Sequence, residues 1–219
     1  MVFTKKIKYM LLIQIAPLLC HAQNSTNNSI VHSLYLGVQG GYGSTTWEGL
    51  VPNQKNQNLA LSMSTPIETH EGGGVWGGIF GYELNQNFAI EGQYMHYPKA
   101  NIFFDSGSLF SFNNNDQTQL TTNTETLSLM AKLMVRISNS KVRAYSSAGI
   151  TDIHRKDMLT DQWHVGPAFS VGLNYEISDH FMAEIGGNYA AGFGESQLSP
   201  AESYIPFLYS GTFRLAYRL

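Results

Sequence analysis

Phe207-Leu208-Tyr209-Ser210-Gly211-Thr212-Phe213-Arg214-Leu215-Ala216-Tyr217-Arg218-Leu219 alternates without a break over thirteen residues. One face carries Phe207, Tyr209, Gly211, Phe213, Leu215, Tyr217 and Leu219. The other carries Leu208, Ser210, Thr212, Arg214, Ala216 and Arg218. A strict period of two is a strand with one oily and one mostly polar face. A strand that crosses a bilayer needs about 9–11 residues, so this one is long enough. A soluble sandwich strand shows the same alternation with the oily face inward. The rest of the chain has to choose between them.

Charged residues make up 13% of the chain, about half the share usual in soluble domains. The 21 glycines and 12% aromatic content suit a turn-rich β architecture. Met1 to Ala22 has the form of a secretory signal. Lys5, Lys6 and Lys8 form its positive region and Met10 to Leu19 its apolar region. Cys20-His21-Ala22 brings the small residues of a cleavage site, with the cut before Gln23. As a membrane anchor the apolar run is far short of the ~20 residues a spanning helix needs. Leu19 before Cys20 is a poor match to a lipoprotein signal. Removing the leader takes away three lysines and no acid, shifting the formal charge from −3 to −6. No basic patch is left for a nucleic-acid partner. The single cysteine leaves as well, so no disulfide can hold the mature chain. No second apolar stretch approaches helix-spanning length, which leaves a closed barrel as the only way into a membrane.

Seven further alternating stretches precede the last one: Leu34 to Tyr42, Gly74 to Leu84, Phe88 to Tyr97, Leu127 to Ile137, Lys141 to Ile150, Trp163 to Ile177 and Phe181 to Tyr189. The fourth is the cleanest, with Leu127, Leu129, Ala131, Leu133, Val135 and Ile137 opposite Ser128, Met130, Lys132, Met134 and Arg136. In the fifth, Val142, Ala144 and Ala148 are placed outward, turning Arg143 and Tyr145 inward. Pro167 in the sixth removes a ladder donor and belongs near a strand end or bulge. The connections alternate: long polar segments at 43–72, 98–123, 151–162 and 190–204, and three-residue turns at 85–87, 138–140 and 178–180. Short inner turns and long outer loops on an even number of strands are the rhythm of an outer-membrane barrel. Aromatic residues near strand ends, among them Trp76, Tyr94, Trp163 and Tyr217, match an interfacial girdle. The fold read here is all-β, an eight-stranded antiparallel up-and-down transmembrane β-barrel over residues 34–219. It follows the signal peptide (1–22) and a polar N-terminal lead (23–33).

Gly81-Tyr82-Glu83-Leu84-Asn85, Ile90-Glu91, Leu129-Met130-Ala131-Lys132-Leu133 and Leu215-Ala216-Tyr217-Arg218-Leu219 carry a resemblance. The chain resembles the eight-stranded barrels of the outer membrane protein A and opacity surface-antigen group, from about Leu34 to Leu219. It departs from them in ending on Leu219, where an aromatic is usual, and in having no peptidoglycan-binding domain after the barrel. The resemblance implies an ion-pair network in the lumen, with an inward Glu on the third strand and an inward Lys on the fourth. Glu91 and Lys132 occupy those places. Glu184 stands where relatives can carry a basic residue, so the network is expected to be rewired, with Lys132 bridging Glu91 and Glu184. Arg136 and Arg214 complete the polar lumen set. A lumen in which water solvates these groups is the alternative.

Nothing in the sequence asks for catalysis, a cofactor or a metal. His32, His70, His96, His154, His164 and His180 show no metal-ligand spacing. His32-Ser33 lacks a visible base and oxyanion site. Gly72-Gly73-Gly74 lacks the Lys-Ser/Thr and following helix of a phosphate loop. The expected function is therefore structural and surface-interacting, in the cell outer membrane of a Gram-negative bacterium. Its partners are outer-membrane lipid and, through four long outer loops, host or extracellular surface molecules, with the barrel a monomer. A small gated pore is the first alternative and a lipid-active enzyme the second.

Overall fold

The computed structural model describes residues 33–47, 66–104, 119–193 and 204–219. The leader and nearly all of the polar lead lie outside them. Ten strands follow in order: β1 Ser33–Ser44, β2 Pro66–His70, β3 Gly73–Glu83, β4 Phe88–His96, β5 Ala100–Phe104, β6 Gln119–Arg136, β7 Val142–Lys156, β8 Asp161–Glu176, β9 Phe181–Ala190 and β10 Leu208–Arg218. Eight of them close a ring in the order β1, β3, β4, β6, β7, β8, β9, β10, and β10 pairs back onto β1. Every pairing is antiparallel. Closure matters because a backbone group left unpaired in hydrocarbon costs several kcal/mol. A ring leaves no edge strand in the wall.

The facing follows the alternation read from the sequence. Val38, Ile185, Val171 and Phe213 stand on the outside, exposed, while Lys132, Arg214, Glu91 and Glu184 are buried inside. Large apolar groups out and charges in is the inverse of a soluble domain, and only lipid makes it favourable. Arg143 and Tyr145 of β7 point inward and are buried, with Ala148 exposed. Inward glycines give the two tyrosines of the inner layer room. A Cβ on Gly81 collides with the Tyr35 ring, and one on Gly186 with the Tyr145 hydroxyl.

Three expectations need correction. The segment 151–162 is not a long loop. β7 runs to Lys156 and β8 starts at Asp161, leaving a four-residue turn. Asp157 makes that turn: its carboxylate accepts N–H bonds from Leu159 (2.9 Å) and Thr160 (3.1 Å), and its own N–H reaches the Thr160 carbonyl. The barrel therefore has three long outer connections and one tight one, not four long loops. Next, the segments 43–72 and 98–123 are not wholly irregular. They contain β2 and β5, and β6 begins at Gln119 rather than Leu127. β5 pairs with the outer end of β6 and β2 with β5, so a sheet extends past the barrel wall on that side. Last, Pro167 lies inside β8, paired with Ile150. Its missing N–H falls where the β8–β9 register ends, at Ala168 with Ala190, and its carbonyl accepts the Ala191 N–H just beyond β9.

Candidate functional site

The bore of the barrel is the site. β4 lies opposite β9 in the ring, and β6 lies opposite β10. Glu91 comes from β4 and Glu184 from β9, while Lys132 comes from β6 and Arg214 from β10. Two carboxylates thus face each other across the bore, and two cations face each other along the neighbouring diagonal. Lys132 Nζ lies 3.1 Å from Glu91 Oε2 and 2.5 Å from Glu184 Oε1. Arg214 Nη1 lies 2.8 Å from Glu91 Oε1 and 3.4 Å from Glu184 Oε2. Each acid meets both cations, and all four side chains are buried.

Neighbours take up further hydrogen-bonding capacity. Tyr35 Oη donates to Glu91 (2.8 Å), Asn174 Nδ2 donates to Glu184 (2.8 Å), and Arg214 Nη2 donates to Asn188 Oδ1 (2.6 Å). Lys132 Nζ sits 4.4 Å from the centre of the Tyr145 ring. Charges taken out of water need this much pairing: removal of one partner from a buried ion pair typically costs about 3–5 kcal/mol.

Arg136 shares the inward parity of Lys132 but stands apart from this layer. It lies half-exposed at the inner rim, 3.1 Å from Glu176. There it borders a second cluster that the sequence reading did not assemble. Arg143 reaches Glu83 (3.0 Å) and Glu176 (3.6 Å), and Arg218 reaches the same two acids (3.0 and 3.4 Å). The alternation turns Arg143 inward and puts Arg218 on the polar face of the last strand; their meeting at Glu83 and Glu176 needs the curvature of the wall, which no strand pattern carries.

Toward the outer end the bore is first apolar, filled by Val75, Met95, Tyr97, Ile153, Ile205 and Leu208. A water-sized cavity lined by Gln93, Met95, Ser128 and Asn188 lies along the wall here. Above it, Trp47, Ala100, Ile102, Phe104, Leu120 and Tyr204 form a cap. Arg155 ties the cap together. It pairs with Asp157 at 2.7 Å, donates to the Tyr204 carbonyl at 2.6 Å, and lies 4.8 Å from the Trp47 ring. The reading of 151–162 as a loop hid this residue.

The other residues singled out in the sequence lie apart from the central charge layer. Ser33 donates to Glu83 (3.2 Å), and His32 lies outside the described residues. Gly72 takes a left-handed φ of 93° just before β3, at the junction of two strands. Among the described residues no three His, Cys, Asp or Glu side chains converge as a metal-holding group.

The model of the outer membrane protein beta-barrel domain matches residues 14–209. The chain belongs to that family. As a member of the outer membrane beta-barrel family it resides in the outer membrane, with its oily wall against lipid. Among solved structures it is similar to neisserial surface protein A (10% identity, TM-score 0.53, 85% of this chain and 97% of that one). It is also similar to the outer membrane protein OprG of Pseudomonas aeruginosa (12% identity, TM-score 0.51, 85% and 96% covered). At such identities the likeness establishes the fold. No curated protein matches the chain.

Proposed function

We propose that the chain is a plugged, monomeric outer-membrane barrel whose work is structural and surface-directed: it anchors in lipid and presents its outer connections to extracellular or host molecules. The observation that carries this reading is the central layer. Glu91, Lys132, Glu184 and Arg214 reach across the bore from four strands and neutralise one another. An eight-stranded ring is just wide enough for side chains to fill. The outer sheet of β2, β5 and the upper part of β6 gives the presented surface a framed shape. Neisserial surface protein A, a surface protein by name, is a relative in fold that agrees with this role. The reading includes no catalytic step and no cofactor.

Planar-bilayer recording tests the plug. The folded protein is expected to give no steady single-channel current, and sustained ion current in the unmodified protein overturns the plug. Cysteine labelling tests the display, since the only natural cysteine is Cys20. Ile67→Cys, on an exposed residue of β2, should react with a membrane-impermeant maleimide on intact cells. Ser178→Cys, in the turn between β8 and β9, should react only after the envelope is opened. The reverse pattern inverts the proposed orientation.

A further inference from the structure

One level of the outer wall differs from the rest. Trp76 of β3 is the register partner of His96 of β4, His96 of Glu125 of β6, Glu125 of His154 of β7, and His154 of Trp163 of β8. Five outward residues on five adjacent strands thus form one lateral row, roughly 20 Å across at the usual strand spacing. The row is ordered from within. His96 lies 5.3 Å from the Trp76 ring and 3.2 Å from the Glu125 carboxylate. The His154 ring stacks flush on Trp163, 4.4 Å apart and 6° from parallel, and its Nε2 lies 2.7 Å from Asp161. Both indoles remain more than half exposed, at 58% and 54%.

The height of the row is fixed by what lies on either side along the same faces. Toward the inner end stand Leu127, Leu129, Ile150, Val165 and Phe169; toward the outer end stand Thr121, Lys156 and Asp161. The row marks the upper border of the apolar band, where lipid headgroups begin. The opposite border carries Tyr82, Phe88, Tyr175, Phe181 and Tyr217, with no tryptophan. Both wall tryptophans among the described residues, and the interleaved imidazoles and carboxylate, belong to the outer leaflet alone.

We propose that this row binds the sugar rings of an outer-leaflet glycolipid headgroup. A sugar ring offers a face of C–H bonds, weakly positive, to the negative face of an indole. Its hydroxyls donate to carboxylates, which when ionised hold about four acceptor sites each, more than the contacts within the row occupy. A phosphate fits poorly. Glu125 and Asp161 are acidic, Asp152 faces outward one step below His154, and Lys156, already 3.0 Å from Asp161, is the cation beside them.

The test uses the full barrel in bilayers of phosphatidylcholine carrying a small fraction of purified lipopolysaccharide. Its readout is the glycolipid retained through repurification in detergent. Tryptophan emission supplies a second readout, since only Trp47, Trp76 and Trp163 contribute and Trp47 is buried. Trp76→Leu with Trp163→Leu keeps the wall apolar and should lower retention about tenfold, an effect of one stacking contact or more. The corresponding phenylalanine pair should retain most of it. Glu125→Gln, which keeps the shape and removes the charge, should lower it several-fold, so the proposal stays open to refutation if the leucine pair fails to fold. Equal retention by the leucine pair or by Glu125→Gln overturns the proposal. Loss of binding on stripping phosphates from the lipopolysaccharide assigns recognition to phosphate and overturns it too. Equal competition by phosphatidylglycerol reduces the row to an ordinary aromatic border.

Discussion

Lys132 Nζ and Glu184 Oε1 lie 2.5 Å apart although β6 and β9 share no edge. The contact crosses the bore, and it holds two parts of the wall that the backbone ladder joins only the long way round. Replacing Lys132 by Met removes one cation from a buried set of four and leaves a carboxylate without compensation. The expected loss is about 3–5 kcal/mol, read from urea unfolding of the barrel folded in lipid vesicles. Adding Glu184→Gln should recover part of that loss, because the orphaned charge goes with it. Strict additivity of the two single changes removes the coupling.

The wall gives the complementary prediction. Leu129 is outward and exposed to lipid near the middle of the apolar face of β6. Leu129→Arg should destabilise by about 2–4 kcal/mol, the depth-dependent penalty for a charge at mid-bilayer, while Leu129→Phe should change stability little. The same unfolding assay measures both, and equal effects contradict the outward assignment.

Asp157 both shapes the turn between β7 and β8 and neutralises Arg155, each side chain fully buried. Asp157→Ala should loosen the structure locally, at the cap, because it removes the carboxylate 2.7 Å from Arg155 together with the acceptor of both turn N–H groups. Trypsin is then expected to cut after Lys156 while the rest of the barrel still shows its heat-dependent gel shift. Unchanged resistance at Lys156 counts against the cap.

Tyr204 provides a pH dependence at the same place. Its hydroxyl contacts Thr46 Oγ1 at 2.9 Å, and burial raises its pKa above the ordinary 10.0. The folded chain therefore holds the neutral phenol to higher pH than the unfolded chain does. That stability is complete below the unfolded value near 10 and is lost as pH rises through the higher folded value. Cap opening should appear above about pH 10 as a red shift of the buried Trp47, absent in Tyr204→Phe. A titration flat to the same pH in both proteins removes the assignment.

What the alternation revealed, and what it hid, has one physical origin. Contrast between two faces reports contact with lipid. It was clear from Leu127 to Ile137 because one side of that strand meets hydrocarbon. It vanished above Leu127, where Thr121, Asn123 and Glu125 face outward into a polar zone, although β6 continues to Gln119. Asp152, His154 and Lys156 concealed the end of β7 in the same way. Parity placed Glu91, Lys132, Glu184 and Arg214 inward. It gave no height along the bore, so Arg136 was grouped with them, and Arg155 was lost with its strand.

The pairing of β1 with β10 has a consequence for how the molecule comes into being. Tyr35 meets Arg218 and Ser44 meets Tyr209, the greatest sequence separations in the wall. Local hairpins such as β3 with β4 can form as soon as they are made, but the seam has to wait for β10. Such distant contacts make assembly slow. A nascent chain stopped before Leu208 holds seven ring strands and two raw edges, a species better suited to sticking to its neighbours than to residing in a membrane.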